Sequence, residues 1–225
     1  MGDAPFILGL DLGQAQDYTA VAIVEITEEP TGSLRQETES LLVGSLHAPE
    51  LVARAREVPE LLTHYTVRHL ERFPLGTSYP AIVEKIQMLL HTPQLYDKTE
   101  LVVDRTGVGA PVCDMLVEAE LEPVSITITG GDTVTQEGQY YRVPKRDLVS
   151  VVQVLQQTRR LKVVPSLPTA AVLVQEMQTF QVRLNPRTAH DSYGAWREGT
   201  HDDVLLATAI ACWYGENRPG PWLFW

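Results

Sequence analysis

The segment from Val204 to Trp213 constrains the fold of this chain more than any other. Its ten residues are apolar except for Thr208. If the segment is a helix, apolar side chains cover it nearly all round, and such a helix must be buried among other elements. The sequence therefore predicts a buried closing helix whose opening turn is held rigidly by its surroundings.

Two adjacent acids stand at the start of this helix. Asp202 and Asp203 follow His201. One Asp is enough to accept hydrogen bonds from the free N–H groups of a first turn, and two adjacent carboxylates repel each other unless solvent or a cation intervenes. Adjacent helical positions also differ by about 100° in direction, so the two side chains are not expected to face one centre. Helix capping and a cation site both remain open.

The order of apolar runs and turns predicts an α/β fold with a mixed central sheet flanked by helices. The runs PFILGLDLG and YTAVAIVEI are predicted to pair as an antiparallel hairpin around GQAQD. Further strands are predicted at residues 39–48, 100–104 and 123–129. Helices are predicted at 79–91 and 110–119, and a helical connection is predicted between the third strand and residue 79.

A second unit follows within the same predicted domain. Its elements are a hairpin or long loop at 130–143, a helix at 144–160, a short strand at 161–164, a helix at 169–180 and a turn-rich loop at 183–200. Pro144 suits a helix N-terminus, and Arg159 and Arg160 suit the C-terminal end of the helix dipole. No repeat or flexible linker divides the chain, so residues 1–225 are predicted to form one domain.

Composition restricts the class of protein. The chain is 44% hydrophobic and 21% charged, and it has no apolar run of the roughly 18 residues that cross a bilayer. The N-terminus has no signal-peptide layout, and Cys113 and Cys212 are predicted as buried thiols, so a cytoplasmic setting is expected (the host cytoplasm for a viral protein). A net charge of −11 argues against tight nonspecific nucleic-acid binding unless acids bind metal and basic residues cluster.

Four carboxylates stand at the ends of predicted strands or at the start of the last helix: Asp11, Asp104, Asp202 and Asp203. Functional groups gather at the carboxyl ends of parallel strands, and carboxylates that converge there need divalent cations. Oxygen ligands without cysteine favour Mg²⁺ or Mn²⁺, and two such ions roughly 3.5–4 Å apart catalyse phosphodiester hydrolysis. Alternatively, Asp11 and Asp17 bond turn N–H groups, and Asp104 pairs with Arg105.

Three stretches, in this order and with these gaps, resemble the nuclease domain of phage terminase large subunits: GLDLGQAQDYTAVAIVE, VVDRTGVGAPVCDML and HDDVLLATAIA. The intervening YRVPKRDLVSVVQVLQQTRRLKV is similar to the family's inserted hairpin, helix and strand. The resemblance implies an RNase H-like fold related to the RuvC resolvases. It also implies an endonuclease that cuts double-stranded concatemeric viral DNA during packaging with two metal ions.

The resemblance also implies roles for single residues. It gives as catalytic metal ligands, in chain order, Asp11, Asp104 and Asp202 or Asp203. Asp17 matches a further acid that supports the metal site. His201 is expected near the site, either beside a ligand or as the group that protonates the leaving oxygen.

The resemblance further implies partners, and the net charge of −11 requires DNA contacts to come from local basic residues. No GxxxxGK[ST] phosphate loop occurs, so an ATPase motor domain is expected as a partner, with the small terminase subunit and the portal, and no membrane. The chain is either an excised nuclease domain or a stand-alone relative. DNA contacts are expected from the basic residues Arg105, Lys145, Arg146, Arg159, Arg160 and Lys162. For Arg159 and Arg160 the alternative is that they only satisfy a helix C-terminus.

Two other functions stay open. The stretch GLDLG followed by a hairpin with Thr19 is similar to the first phosphate loop of actin and sugar-kinase ATPases, which share the underlying fold. The second alternative is a non-catalytic RNase H-like module that binds a packaging partner. Metal-dependent cleavage of plasmid DNA separates the nuclease from both.

Overall fold

The two apolar runs at the start of the chain form the predicted antiparallel hairpin. The computed structural model describes residues 4–13, 17–30, 61–181 and 201–218. In it the hairpin strands are β1 (Phe6–Asp11) and β2 (Ala20–Pro30), and Asp11 pairs with Ala20. The strand predicted at 39–48 and the loop predicted at 183–200 lie outside the described residues.

The described strands form one eight-stranded mixed sheet, which confirms the predicted α/β architecture. The remaining strands are β3 (Leu61–Arg72), β4 (Thr99–Asp104), β5 (Val124–Thr129), β6 (Thr135–Glu137), β7 (Tyr140–Pro144) and β8 (Leu161–Val163). Their order across the sheet is β6-β7-β5-β4-β1-β2-β3-β8. Because β1, β4, β5 and β7 are parallel, their carboxyl ends lie at the same edge of the sheet.

Strand β3 corrects one prediction, because residues 61–72 were expected within a helical connection. The strand pairs with β2 along its whole length, but the register shifts between Ile23 and Val24. Arg68 is the extra residue of this bulge, since Val67 and His69 pair with consecutive residues of β2. A bulge changes the phase of the buried side chains. Tyr65, Val67 and Leu70 are therefore buried with mixed spacings that hide the two-residue period of a strand.

Helices cover both faces of the sheet. They are α1 (Tyr79–Leu90), α2 (Gly109–Glu118), α3 (Lys145–Gln157), α4 (Ala170–Gln181) and α5 (Asp203–Asn217), close to the predicted positions. Side chains alternate along β1, so Leu8 and Leu10 pack with α1 and α2, whereas Ile7 packs with α3, α4 and α5. Within the described residues, no helix combines the length and apolarity needed to span a bilayer.

The closing helix α5 is buried, as the sequence predicted. Every residue from Asp203 to Tyr214 is buried, including the free thiol of Cys212. The helix lies directly on β1, because a Cβ atom on Gly9 would come within 2.1 Å of the carbonyl oxygen of Ala207. The absence of a side chain at Gly9 thus sets the distance between the helix and the middle of the sheet.

The predicted hairpin-helix-strand unit joins both edges of this sheet. Its hairpin, β6 and β7, extends the sheet beyond β5, and β8 pairs with β3 at the opposite edge. Helix α3 connects the two edges and contributes Leu148, Val149, Val152 and Leu155 to the core around α5. The unit therefore shares its core with the rest of the fold.

The close approach of α5 to β1 gives a first prediction. We expect Gly9→Ala to lower the free energy of unfolding by about 1–3 kcal/mol, as overpacked cores do, because the new methyl group has to displace the backbone of α5. Urea denaturation measures the change. Gly130→Ala is the matched control, since a Cβ atom there meets nothing within 4 Å. Equal destabilisation by the two substitutions would contradict the direct helix–strand contact.

Candidate active site

Two buried acids lie side by side at the carboxyl ends of neighbouring strands. β1 and β4 are parallel, and Leu10 pairs with Val103, so the next residues, Asp11 and Asp104, end the two strands together. Asp11 is on the face of β1 that Gly9 presents to α5, because side chains two residues apart share a face. The exposed fractions of Asp11 and Asp104 are only 8% and 7%.

Burial in this position disfavours the ionised form of both acids. Burial raises the pKa of Asp11 well above its ordinary value, and the charges of Asp104, Asp202 and Asp203 raise it further. Burial also raises the pKa of Asp104, although the N–H of Thr106 donates a 2.8 Å hydrogen bond to its Oδ1 atom and stabilises the carboxylate. The pair therefore favours a nearby positive charge.

Helix α5 brings two more acids, Asp202 and Asp203, to the same edge of the sheet. Asp202 is the N-cap residue of α5, but its side chain makes no capping hydrogen bond. The orphan N–H of Leu205 instead donates a 2.7 Å hydrogen bond to Oε2 of Glu176, which comes from α4. Helix α4 therefore supplies part of the capping of α5. The two adjacent acids, Asp202 and Asp203, also contact other residues.

Asp202 and Asp203 each contact a different basic residue. The Nζ atom of Lys145, the first residue of α3, lies 2.9 Å from Oδ2 of Asp202. This contact is a close ion pair between partly buried side chains. Arg72, the last residue of β3, donates two hydrogen bonds to Asp203, of 2.6 Å and 3.0 Å.

Arg72 also donates a hydrogen bond to Glu176, so one guanidinium links strand β3 to α4 and α5. Burial is the largest cause that raises the pKa of Glu176 to about 7, and the charges of Asp203 and Asp202 raise it further. The hydrogen bond from Leu205 and the attraction of Arg72 act in the opposite direction. Burial likewise raises the pKa of Asp203 although Arg72 stabilises its charge. Desolvation therefore outweighs ion pairing at both carboxyl groups.

Two rings, those of Tyr18 and His201, lie beside this network. The guanidinium of Arg72 lies 4.8 Å from the ring centre of Tyr18. The ring of His201 meets the same Tyr18 edge-on, with centroids 4.8 Å apart. His201 is exposed and its charge lowers the pKa of Asp203, so it lies at the rim of the acid cluster, whereas Asp17 is exposed at the bend before β2.

The basic residues predicted to bind DNA fall into separate groups. Lys145 faces the acid cluster, and Arg146 pairs with Asp132 and Asp147. The other end of α3 lies roughly 20 Å away, given the 1.5 Å rise per residue. The three basic residues found there are Arg159, Arg160 and Lys162.

The remaining basic residues differ in exposure and in the residues that they contact. Arg160 makes two hydrogen bonds to Glu216 and a third to the carbonyl oxygen of Thr63, so its guanidinium joins α5 to β3. Arg159 and Lys162 are exposed. The guanidinium of Arg105 lies 5.2 Å from the ring centre of Tyr140, and no ion pair joins it to Asp104 within the described residues.

Two residues of the site were missed from the sequence. Arg72 was hidden because its strand was predicted to be part of a helical connection. Glu176 follows Leu173 by three positions on α4, so the two share a helix face, and a lone acid on an apolar face is the signal that could have identified it. Both are recognisable only once β3, α4 and α5 meet.

The candidate site offers oxygen atoms as possible ligands for a metal ion. Its oxygens are buried carboxylates without sulfur ligands, which is the chemistry that Mg²⁺ and Mn²⁺ prefer. In the described part of the chain, however, no three acidic, histidine or cysteine side chains are arranged to hold a metal ion. Lys145 and Arg72 engage the two acids of α5 instead. The carboxylate oxygens of the site are suitable ligands for a divalent cation. The basic side chains of Lys145 and Arg72 contact two of these acids, Asp202 and Asp203.

Comparison with known proteins identifies a fold. No protein-family model and no curated protein matches the chain. The chain is similar to a solved structure, the large terminase nuclease from thermophilic phage G20c, with a TM-score of 0.51 and 18% sequence identity. The match covers 96% of this chain and 84% of that chain. At this identity the likeness concerns the fold, and it confirms the expected RNase H-like architecture with its mixed sheet.

The buried carboxyl of Glu176 gives a second prediction. Its pKa is about 7 in the folded protein and 4.5 ordinarily, so the folded state binds more protons between these values. The free energy of unfolding therefore falls as the pH rises from about 4.5 to 7. We expect Glu176→Gln to make this decline shallower in urea denaturation at a series of pH values.

The exposed Glu118 of α2 offers the matched control, because Glu118→Gln removes a carboxyl group that solvent surrounds. This variant should keep the wild-type dependence on pH. A Glu176→Gln protein with an unchanged slope between pH 4.5 and 7 would show that this carboxyl is ionised throughout.

Proposed function

We propose that this chain is a metal-dependent endonuclease that hydrolyses phosphodiester bonds of double-stranded DNA. The observation that carries the proposal is the meeting of Asp11, Asp104 and the acids of α5 at one edge of an RNase H-like sheet. Burying several carboxyl groups together destabilises a protein unless a bound cation offsets their repulsion. The likeness to a terminase nuclease supports the reaction class by fold analogy.

Asp11, Asp104 and Asp202 are the residues proposed to hold the divalent ion. Of the two α5 acids, Asp202 raises the pKa of Asp11 more than Asp203 does, and it shares Lys145 with the strand acids. When bound, Mg²⁺ or Mn²⁺ activates a water molecule and stabilises the leaving oxygen. Asp203 fixes the first turn of α5 through Arg72, and His201 at the rim is placed to donate a proton to the leaving group.

The ATPase alternative is less well supported. A phosphate loop of that type would direct the polar groups of the first hairpin toward a nucleotide. Thr19 is instead buried, and its Oγ1 atom accepts a 3.1 Å hydrogen bond from the N–H of Gly13. The hydroxyl thus closes the turn of the hairpin. The non-catalytic alternative does not explain why several acids are buried together.

The partners are proposed from the resemblance alone. Double-stranded DNA is the substrate, and an ATPase motor domain, a small terminase subunit and a portal would complete a packaging assembly. Arg159 and Lys162 are exposed at the β8 edge and are the residues proposed to contact DNA away from the cluster.

Removal of either strand acid gives a third prediction. We expect Asp11→Asn and Asp104→Asn each to reduce cleavage of plasmid DNA in Mg²⁺ or Mn²⁺ by at least about a hundredfold, because a metal ligand is lost. Thermal unfolding should show equal or greater stability, since repulsion within the buried cluster is relieved. Gel assays of plasmid nicking and linearisation measure the activity.

Asp114→Asn is the control for this experiment. Asp114 is exposed on α2, so the same chemical change there should leave cleavage intact. Full cutting by Asp11→Asn and Asp104→Asn would rule out the assignment of these acids. A wild-type protein that hydrolyses ATP but leaves plasmid DNA intact would support the ATPase alternative.

The two acids of α5 give a fourth prediction. We expect Asp202→Ala to lose nearly all cleavage, because it removes a proposed ligand. Asp203→Ala should keep a measurable part, because Arg72 and Glu176 still pair and the Leu205 N–H keeps its acceptor. Cleavage rates at saturating Mn²⁺ compare the variants. If neither substitution changes cleavage or Mn²⁺ binding, the doubled acid has no part in the reaction.

A further inference from the structure

Lys145 occupies an unusual place for a lysine. Its side chain is only 12% exposed, and its Nζ atom lies 2.9 Å from Oδ2 of Asp202. The same charge lowers the pKa of Asp11 and of Asp104. One ammonium group thus acts on three carboxyl groups that come from β1, β4 and the start of α5.

The local structure fixes this lysine at the cluster. Pro144 ends β7, which is parallel to β5, and α3 begins at the next residue. Lys145 therefore lies at the carboxyl-end edge of the sheet, where Asp11 and Asp104 also end their strands. The proline ring restricts the backbone before Lys145, and the buried residues of α3 hold the helix against α5.

Arg72 cannot replace Lys145 in this role. Its guanidinium makes hydrogen bonds to Asp203 and Glu176, which occupy it on the other side of the first turn of α5. The charge of Lys145 acts on both strand acids, because it lowers the pKa of Asp11 and that of Asp104. Its positive charge is part of the site before any metal binds.

We propose that Lys145 is a permanent internal cation of the acid cluster, which neutralises Asp202 as a second divalent ion would, so that the chain binds one Mg²⁺ or Mn²⁺ ion. The resemblance to terminase nucleases implies two ions. This inference rests on the proposed metal-dependent nuclease function and concerns the number of ions that the site accepts. A second divalent ion beside the ammonium group would be repelled by it.

The test is a titration with Mn²⁺, followed by calorimetry and by the electron paramagnetic resonance of free Mn²⁺. We expect one ion per chain for the wild type and two for Lys145→Met, with the first ion bound about tenfold more tightly because a nearby positive charge is gone. Lys145→Arg keeps the charge and should bind one ion. Lys85→Met removes a lysine that pairs with Glu71 on the surface, and should behave as the wild type.

Thermal unfolding supplies a readout that does not depend on activity. In EDTA, Lys145→Met should unfold at a lower temperature than the wild type, because the buried acids lose their counter-ion. Added Mn²⁺ should raise its unfolding temperature more than that of the wild type. A variant that folds only with Mn²⁺ would also support the inference. A variant that stays unfolded with and without Mn²⁺ would overturn it, because a divalent ion would then be unable to replace the lysine.

Other outcomes separate this inference from the proposed function. Two ions bound by the wild type, or the same number and affinity in wild type and Lys145→Met, would overturn the role of Lys145 while leaving DNA cleavage unaffected. A wild type that neither binds Mn²⁺ nor cuts plasmid DNA would overturn the proposed function itself, and the inference with it.

Discussion

The contact between β1 and α5 is the constraint on which the rest of this structure depends. Gly9 lets the backbone of the helix lie against the strand, with Ala207 at the closest approach. A helix that is apolar on all sides can be placed only between other layers, so α3 and α4 pack around it. The same contact sets its first turn beside the ends of β1 and β4, where a small displacement would separate the acids.

The acid cluster is balanced by opposing electrostatic effects. Burial raises the pKa of Asp11, Asp104 and Asp203, and of Glu176 to about 7. Arg72 and Lys145 offset part of this penalty, but desolvation remains the larger effect at each carboxyl group. Buried carboxyl groups with perturbed pKa values are common at functional sites.

The hairpin-helix-strand unit has a structural and a chemical role. Its strands extend the sheet at both edges, and α3 completes the burial of α5. The unit also delivers Lys145 to the acids from the end of β7. The likeness to the G20c nuclease concerns the shape of the chain. The way in which basic side chains hold the acids is a property read from these residues themselves.

The sequence by itself determined the elements whose signals are local: the first hairpin, the helices, the acids at the ends of β1 and β4, and the burial of α5. Only the tertiary structure revealed β3, whose bulge at Arg68 disturbs the alternation of buried residues. It alone joined Arg72 to Asp203 and Glu176, and turned Lys145 toward Asp202. The physical reason is that charge pairing depends on distance in space, and these partners lie far apart along the chain.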